Sequence, residues 1–145
     1  MPTSDVSPAA PFVRLTNKAV LVVKGPDAGK FLQGQVTCDI KELNQPLTRL
    51  GAQCSPKGRV LLSFRALQMD SESFALRIPS SMMESALKTL GKYIVFSKAK
   101  LHDAQNEFRV IGLFGDSAPR VAALFFDRLP EGDDGWVTKD GNYLI

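Results

Sequence analysis

Hydrophobic and polar positions in the first half of the chain predict a buried strand, a short helix and a second strand. Phe12 to Val23 ends in a β-branched run that is typical of a buried strand. Gly25-Pro26-Asp27 breaks this run, and since proline fits the first turn of a helix, Ala28 to Gln33 predicts a short helix. From Gly58 the apolar period changes to two, which predicts a strand with one face formed by Val60, Leu62, Phe64 and Ala66.

A turn and a returning strand complete a β-hairpin, and a helix follows it. Met69-Asp70-Ser71-Glu72 predicts the turn, after which apolar and other residues alternate from Phe74 to Ile78. Ser81-Met82-Met83-Glu84 has the spacing of a capping box, in which serine and glutamate satisfy each other's backbone N–H groups. We therefore expect a helix from this point to about Leu90.

The second half of the chain predicts further strands and a last helix. Extended structure is expected at Tyr93 to Phe96, Lys98 to His102 and Phe108 to Phe114. A helix from Asp116 or Ser117 to about Leu129 is expected to bury a stripe formed by Val121, Leu124 and Phe125. The chain closes on an apolar, strand-like segment, Asn142 to Ile145, whose partner strand we expect beyond Ile145.

The resulting order of elements, roughly β-α-β-β-α-β-β-α-β, favours an α+β fold with helices packed on a mostly antiparallel sheet. A chain of 145 residues with 44% hydrophobic residues is typical of one globular domain. Residues 1 to 11 are rich in proline, serine and alanine, so they are expected to form a flexible tail before a domain at residues 12 to 145.

Composition argues against a membrane protein and against a metal site. The longest apolar run, Ala19 to Val23, is far shorter than the roughly 20 residues that a membrane-spanning helix needs. The chain starts without a basic leader or an apolar signal segment, so a cytoplasmic location is expected. Cys38 and Cys54 have only His102 as a histidine partner, so neither a zinc site nor a disulfide framework is predicted.

Charge is distributed unevenly along the chain. Residues 1 to 100 carry 14 Lys and Arg against 7 Asp and Glu, a net +7, whereas residues 101 to 145 carry 4 against 8, a net −4. A basic front segment attracts phosphate or a polyanion, but it is also typical of an ordinary solvated face. Charge alone identifies no partner.

Three sequence blocks resemble those of a known family. Residues 25–39 fit the pattern G-x-D-x-x-x-[FY]-x-Q-G-Q-x-T-x-D, residues 52–60 fit an A-x-C-x-x-K-G-[RK] turn, and residues 92–98 read K-Y-I-V-F-S-K. In this order the blocks resemble the N-terminal portion of the YgfZ-type family, which is related to the glycine-cleavage T-protein. The family's K-G-C-x-x-G-Q-E loop has no counterpart here and would lie beyond Ile145.

The resemblance implies a T-protein-like fold that binds tetrahydrofolate in a central pocket. Residues 12–145 would then be an incomplete folate-binding domain, with a ferredoxin-like α+β region at about residues 50–129. The implied role is that of a cytoplasmic accessory protein which supports iron–sulfur enzymes, including those that modify tRNA. The implied partners are folate and these iron–sulfur proteins.

Candidate binding residues fall on the first two blocks. Gln33, Gln35, Thr37 and Asp39 alternate along one polar segment, and their amide, hydroxyl and carboxylate groups suit the donor and acceptor edge of a pterin. An equally good interpretation is that they only hydrogen-bond the tight loop around Gly34.

The second block offers cations and a thiol. Lys57 and Arg59 flank a glycine on a turn, where cations can approach the glutamate tail of a folate or an RNA phosphate, although the turn also suits an ordinary hairpin entry. The functional interpretation is favoured for Lys57 and the hairpin interpretation for Arg59. Cys54 fits the family pattern, but a lone cysteine near a strand end is typical of a small buried hydrophobe.

Three functions remain open: a non-catalytic folate-dependent accessory protein, a true aminomethyltransferase, and a basic RNA-contacting module without folate. T-proteins carry an Asp-Asp pair on the strand after the glycine turn, where this chain has Leu61 and Leu62. Because leucine cannot accept a proton, the resemblance implies a protein that binds folate but does not transfer aminomethyl groups. Weak RNA contact and self-association through the last strand are further expectations.

Overall fold

The structure is a computed structural model, and it describes residues 11 to 145. Nine strands occur in this range: β1 Phe12–Arg14, β2 Lys18–Lys24, β3 Arg49–Cys54, β4 Val60–Asp70, β5 Ser73–Pro79, β6 Lys100–Asp103, β7 Ile111–Leu113, β8 Val137–Lys139 and β9 Asn142–Leu144. The helices are α1 Ala28–Gln33, α2 Met83–Ile94 and α3 Ala118–Ala122, with 3₁₀ helices at Ile40–Asn44 and Ser80–Met82. The tail expected at residues 1 to 11 lies, except for its last residue, outside the described residues.

A five-stranded antiparallel sheet in the order β3-β4-β5-β2-β6 forms the centre of the fold. Helices α1 and α2 and the first 3₁₀ helix pack on one face of this sheet, which we call the core face. This confirms the predicted α+β fold with a mostly antiparallel sheet. None of the helices between residues 11 and 145 is long and apolar enough to cross a membrane.

Alternation along the strands builds the core face. The registers align Leu21 with Leu76 and Leu76 with Ala66, so that apolar side chains of β2, β5 and β4 lie side by side. Leu21, Leu76 and Ile78 are completely buried. The predicted hairpin is therefore confirmed, with its turn shortened to Ser71 and Glu72. Among the four residues predicted to form the apolar face of its first strand, Val60 is the one that is exposed.

Several predicted boundaries are wrong. The long first strand is divided into β1 and β2 by a turn at Thr16 and Asn17. The capping box does not form, because Ser81 lies inside the 3₁₀ helix and Met82 is the N-cap of α2 without a side-chain hydrogen bond. Tyr93 is helical rather than extended, since α2 continues to Ile94.

The C-terminal region departs furthest from prediction. Helix α3 ends at Ala122, and the side chains of Leu124 and Phe125 are 78% and 65% exposed. Their apolar pattern has no surface to pack on within residues 11 to 145, so it does not extend the helix. The strand expected from Phe108 is reduced to β7, which pairs with β1.

The last strand has its partner within the chain. We expected that partner beyond Ile145, but β9 pairs with β8 through a tight turn at Asp140 and Gly141. Two residues with positive φ at this turn, 52° and 76°, make the short connection possible. Self-association was expected because the last strand was thought to lack a partner, and the pairing with β8 removes that reason. Self-association therefore stays an untested prediction.

Candidate functional site

The polar segment after α1 lies along the edge strand β3. Thr37 donates its backbone N–H to the carbonyl of Ala52 at 2.9 Å, and its Oγ1 accepts the N–H of Ala52, also at 2.9 Å. Because β3 is the first strand of the sheet, this two-way contact satisfies part of an otherwise open edge. The first and second sequence blocks meet at this point.

The neighbouring polar side chains also bond to backbone groups. Gln33 Oε1 accepts the N–H of Ile40 at 2.8 Å, and Asp39 Oδ1 accepts the N–H of Lys41 at 3.0 Å at the start of the first 3₁₀ helix. Gln35 is half-buried. Three of the four candidates thus make contacts that the loop-stabilising interpretation expects, and within residues 11 to 145 the side chain of Gln35 makes no such contact.

The turn between β3 and β4 holds the remaining candidates. Lys57 and Arg59 are exposed on either side of Gly58, whose φ of 76° suits glycine. Arg59 contributes a backbone bond, its N–H to Ser55 Oγ at 3.2 Å. Cys54 ends β3 at a register shift and is half-buried, two positions beyond the contact between Thr37 and Ala52. The structure therefore brings all seven candidates to one edge of the sheet.

The third block packs against the first one at the opposite edge. Asp27 accepts the N–H of Lys98 on Oδ2 at 2.8 Å and donates its own N–H to the Lys98 carbonyl at 3.2 Å. Gly25 approaches so closely that an added Cβ would collide with the same carbonyl. Helix α1 connects this contact to the candidates, because Asp27 is its N-cap and Gln33 is its last residue.

The sheet face opposite the core face, which we call the outer face, carries polar and apolar residues that sequence reasoning did not assign to a site. Leu62 is buried on the core face, whereas its neighbour Leu61 lies half-buried on the outer face. The two positions at which the resemblance would place the T-protein acidic pair thus point to opposite sides of the sheet. Leu50, 66% exposed, shares the outer face with Leu61.

Two arginines lie directly opposite each other on the outer face. Arg65 of β4 pairs in register with Arg77 of β5. Arg65 donates from Nη1 to Thr48 Oγ1 at 2.6 Å and to Asp134 Oδ1 at 3.1 Å. Burial lowers the pKa of Arg77, and the charge of Arg65 lowers it further. Within residues 11 to 145 Arg77 forms no ion pair, so its charge is available to an external anion.

A signal for this pair existed in the sequence. The alternation along β4 assigned Arg65 to the side away from Phe64, and the same alternation along β5 separates Arg77 from Leu76. What the sequence does not show is the register that places the two arginines side by side. Two clefts of about 310 Å³ each lie elsewhere, around Trp136, and neither is lined by any of the seven candidates.

Neither cysteine forms a disulfide, and burial raises the pKa of the Cys38 thiol. Cys38 and Phe64 occupy the space that a side chain at position 51 would need. A Cβ added to Gly51 would lie 2.7 Å from Cys38 Sγ. Within residues 11 to 145 no group of three or more metal-ligating side chains comes together.

The fold has a clear counterpart among solved structures. The aminomethyltransferase T of the glycine cleavage system from Bartonella henselae matches with a TM-score of 0.70 over 82% of this chain and 33% of that chain, at 16% identity. The chain therefore has the aminomethyltransferase fold.

Sequence relatives narrow this class. Proteins named tRNA-modifying protein YgfZ are 33% identical over 144 residues in Photorhabdus laumondii and 33% identical over 145 residues in Escherichia coli O7:K1. Each alignment covers 99% of this chain, and 43% and 44% of the relatives. An uncharacterized protein of Haemophilus influenzae is 35% identical over 79% of this chain and 40% of its own length. No family model matches. Over almost its whole length the chain is similar to YgfZ-type proteins, as its three blocks indicated, and it spans about two fifths of the length of these relatives.

Proposed function

We propose that this chain is part of a folate-binding accessory protein which supports iron–sulfur enzymes that modify tRNA in the cytoplasm. The observation that carries the proposal is the outer face, where the half-buried Arg77 lies beside Arg65 on a sheet with the aminomethyltransferase fold. The names of the relatives support the link to tRNA modification.

Tetrahydrofolate combines a flat pterin and benzoyl part with an anionic glutamate, and the outer face offers groups for both. Leu50 and Leu61 provide apolar area, and Arg77 provides a cation without an ion pair among the described residues. Arginine binds carboxylates in a bidentate manner, and partial burial strengthens that interaction. The proposed folate strip runs along β4 from the turn with Lys57 and Arg59 to Arg65.

The seven sequence candidates lie beside one end of this strip. Gln35 and Cys54 would border the pterin. Lys57 and Arg59 would add two cations at the same end of the strip. Gln33, Thr37 and Asp39 would act through the loop that they stabilise. Because the chain spans only part of its relatives, we expect weak folate binding from these residues alone.

Aminomethyl transfer is the alternative, and it is supported by the fold of the Bartonella protein. It requires an acidic group beside the reacting folate nitrogen, yet Leu61 occupies the outer-face position and Leu62 is buried beneath the helices. Asp39 caps a 3₁₀ helix instead. We therefore expect no methylene-tetrahydrofolate above background from aminomethylated carrier protein, and turnover at a T-protein-like rate would favour the alternative.

Amide chemical shifts during titration test folate binding directly, since they detect millimolar affinities. Tetrahydrofolate is expected to shift the amides of β4 and β5 around Arg65 and Arg77, and p-aminobenzoylglutamate to shift those near Arg77. Arg77→Gln should weaken the glutamate-containing ligands by about tenfold, as expected for loss of a charged hydrogen bond, while Arg120→Gln on exposed α3 should not. Shifts confined to other elements, or none at millimolar ligand, would contradict the proposal.

A further inference from the structure

A second cationic surface lies at the edge formed by β6, away from the proposed folate strip. Lys24 ends β2, Lys100 begins β6, and the register places the two lysines directly opposite each other. Both are exposed, and neither forms an ion pair with any residue between 11 and 145. Like charges in this arrangement destabilise a sheet, so an anionic ligand would relieve an unfavourable contact.

Another lysine follows from the chain path. Lys98 lies two residues before Lys100, so their Cα atoms are at most about 7 Å apart. The contact with Asp27 uses backbone N–H and carbonyl groups of Lys98, which fixes its position without neutralising its ammonium group. The three lysines are thus held together by the sheet and by the junction of the first and third sequence blocks.

Exposed aromatic rings adjoin these cations. Phe96, two residues before Lys98, is 90% exposed, and Tyr93 in the last turn of α2 is 48% exposed. A phenylalanine that remains almost fully in water gains nothing from folding, and clusters of such residues mark interaction sites. The two rings and two of the three lysines, Lys98 and Lys100, occur within one short stretch, residues 93 to 100, and the register brings Lys24 beside it.

We propose that this surface, formed by Lys24, Tyr93, Phe96, Lys98 and Lys100, binds single-stranded RNA. Lysines neutralise phosphates, and an exposed ring offers a stacking platform for a base, which is how proteins bind single strands without sequence preference. An acidic peptide would use the lysines but not the rings. A lipid surface would require a larger apolar patch than these two rings provide. The proposal is independent of folate binding, because it involves the opposite edge of the sheet.

Fluorescence anisotropy with a labelled oligouridine tests the surface in the unmodified chain and in matched variants. Lys24→Glu should weaken binding by on the order of tenfold at about 50 mM salt and reduce the salt dependence. The same variant places a carboxylate opposite Lys100, so its stability should be unchanged or higher, which separates lost binding from lost folding. Lys41→Glu, the same charge change on the first 3₁₀ helix, should have an effect below about twofold.

The contribution of stacking is measured in the same assay. Phe96→Ala should weaken binding by roughly fivefold or more, the lower end of a base-stacking contact. Phe125→Ala is the matched control, since Phe125 is exposed but lies after α3. The proposal is overturned if oligouridine does not bind at low salt, if Lys41→Glu costs as much as Lys24→Glu, or if Phe96→Ala has no effect. Tighter binding of polyglutamate or of anionic vesicles would also overturn it, in favour of those ligands.

Discussion

The two faces of the five-stranded sheet are built from alternate residues of the same strands, and they differ in what they contact. On the core face Leu21, Leu76 and Ile78 are completely buried beneath the helices. On the outer face Leu50 is 66% exposed and Arg65 lies opposite Arg77. Burying one large apolar side chain contributes roughly 1.5 to 3 kcal/mol, so the core face supplies most of the stability. The part of the outer face around Leu50 and Arg65 is therefore free to carry side chains selected for binding.

The largest expected effect comes from a cavity on the core face. Leu76→Ala should lower the free energy of unfolding by about 2 to 5 kcal/mol, because Leu76 lies between β2 and β4 neighbours with no access to water. Leu50→Ala on the outer face should change it by less than about 0.5 kcal/mol. Urea unfolding followed by circular dichroism measures both variants. Equal losses would show that the outer face is as tightly packed as the core face.

A second variant tests how closely the core face is packed at its β3 edge. Gly51→Ala should cost about 1 to 3 kcal/mol, since an added Cβ would lie 2.7 Å from Cys38 Sγ and 2.8 Å from Phe64 Cζ. Gly91→Ala is the matched control, because no described atom beyond the neighbouring backbone of α2 lies within 4 Å of its added Cβ and a helix favours alanine over glycine. The control should be unchanged or more stable in urea unfolding. A Gly51→Ala variant as stable as the unmodified chain would mean that Cys38 moves away freely.

The contrast between the faces also explains how far the sequence was informative. Period-two alternation predicted the β4–β5 hairpin, and the break at Gly25 to Asp27 located α1 correctly, because both signals are local, although Pro26 itself lies before the N-cap Asp27 and not in the first turn. The pairing of Arg65 with Arg77 depends on register, and the β8–β9 pair depends on a turn at Asp140 and Gly141 that the apolar pattern does not encode. The predicted length of α3 failed because its apolar stripe has no packing partner among the described residues.

Polar bonds rather than apolar burial fix the edge of the outer face, and Thr48 is central to them. Its Oγ1 accepts from Arg65 at 2.6 Å and donates to the Asp134 carbonyl at 3.1 Å, in a side chain that is completely buried. Thr48→Val keeps the shape but removes both bonds, so we expect a loss of about 1 to 2 kcal/mol in urea unfolding. Thr138→Val, which removes one exposed bond to Asn142, should cost less. A larger loss from the exposed site would reverse this ranking.

The smallest expected effect depends on pH and concerns Cys38, which closes the β3 edge of the core face beside Gly51. Burial raises the pKa of its thiol above the ordinary value of 9.0, and Asp39 raises it further. Between the unfolded and the folded pKa the unfolded chain has lost a proton that the folded chain retains, so stability falls as pH rises through this window. The advantage of the unmodified chain over Cys38→Ala should therefore narrow between about pH 8 and about pH 10. Urea unfolding of both proteins under reducing conditions measures the difference between their free energies of unfolding. Groups that titrate equally in both proteins do not contribute to this difference. A difference that stays constant or widens across this range would show that the thiol ionises at least as readily in the folded chain as in the unfolded one, and that burial does not raise its pKa at this edge of the core face.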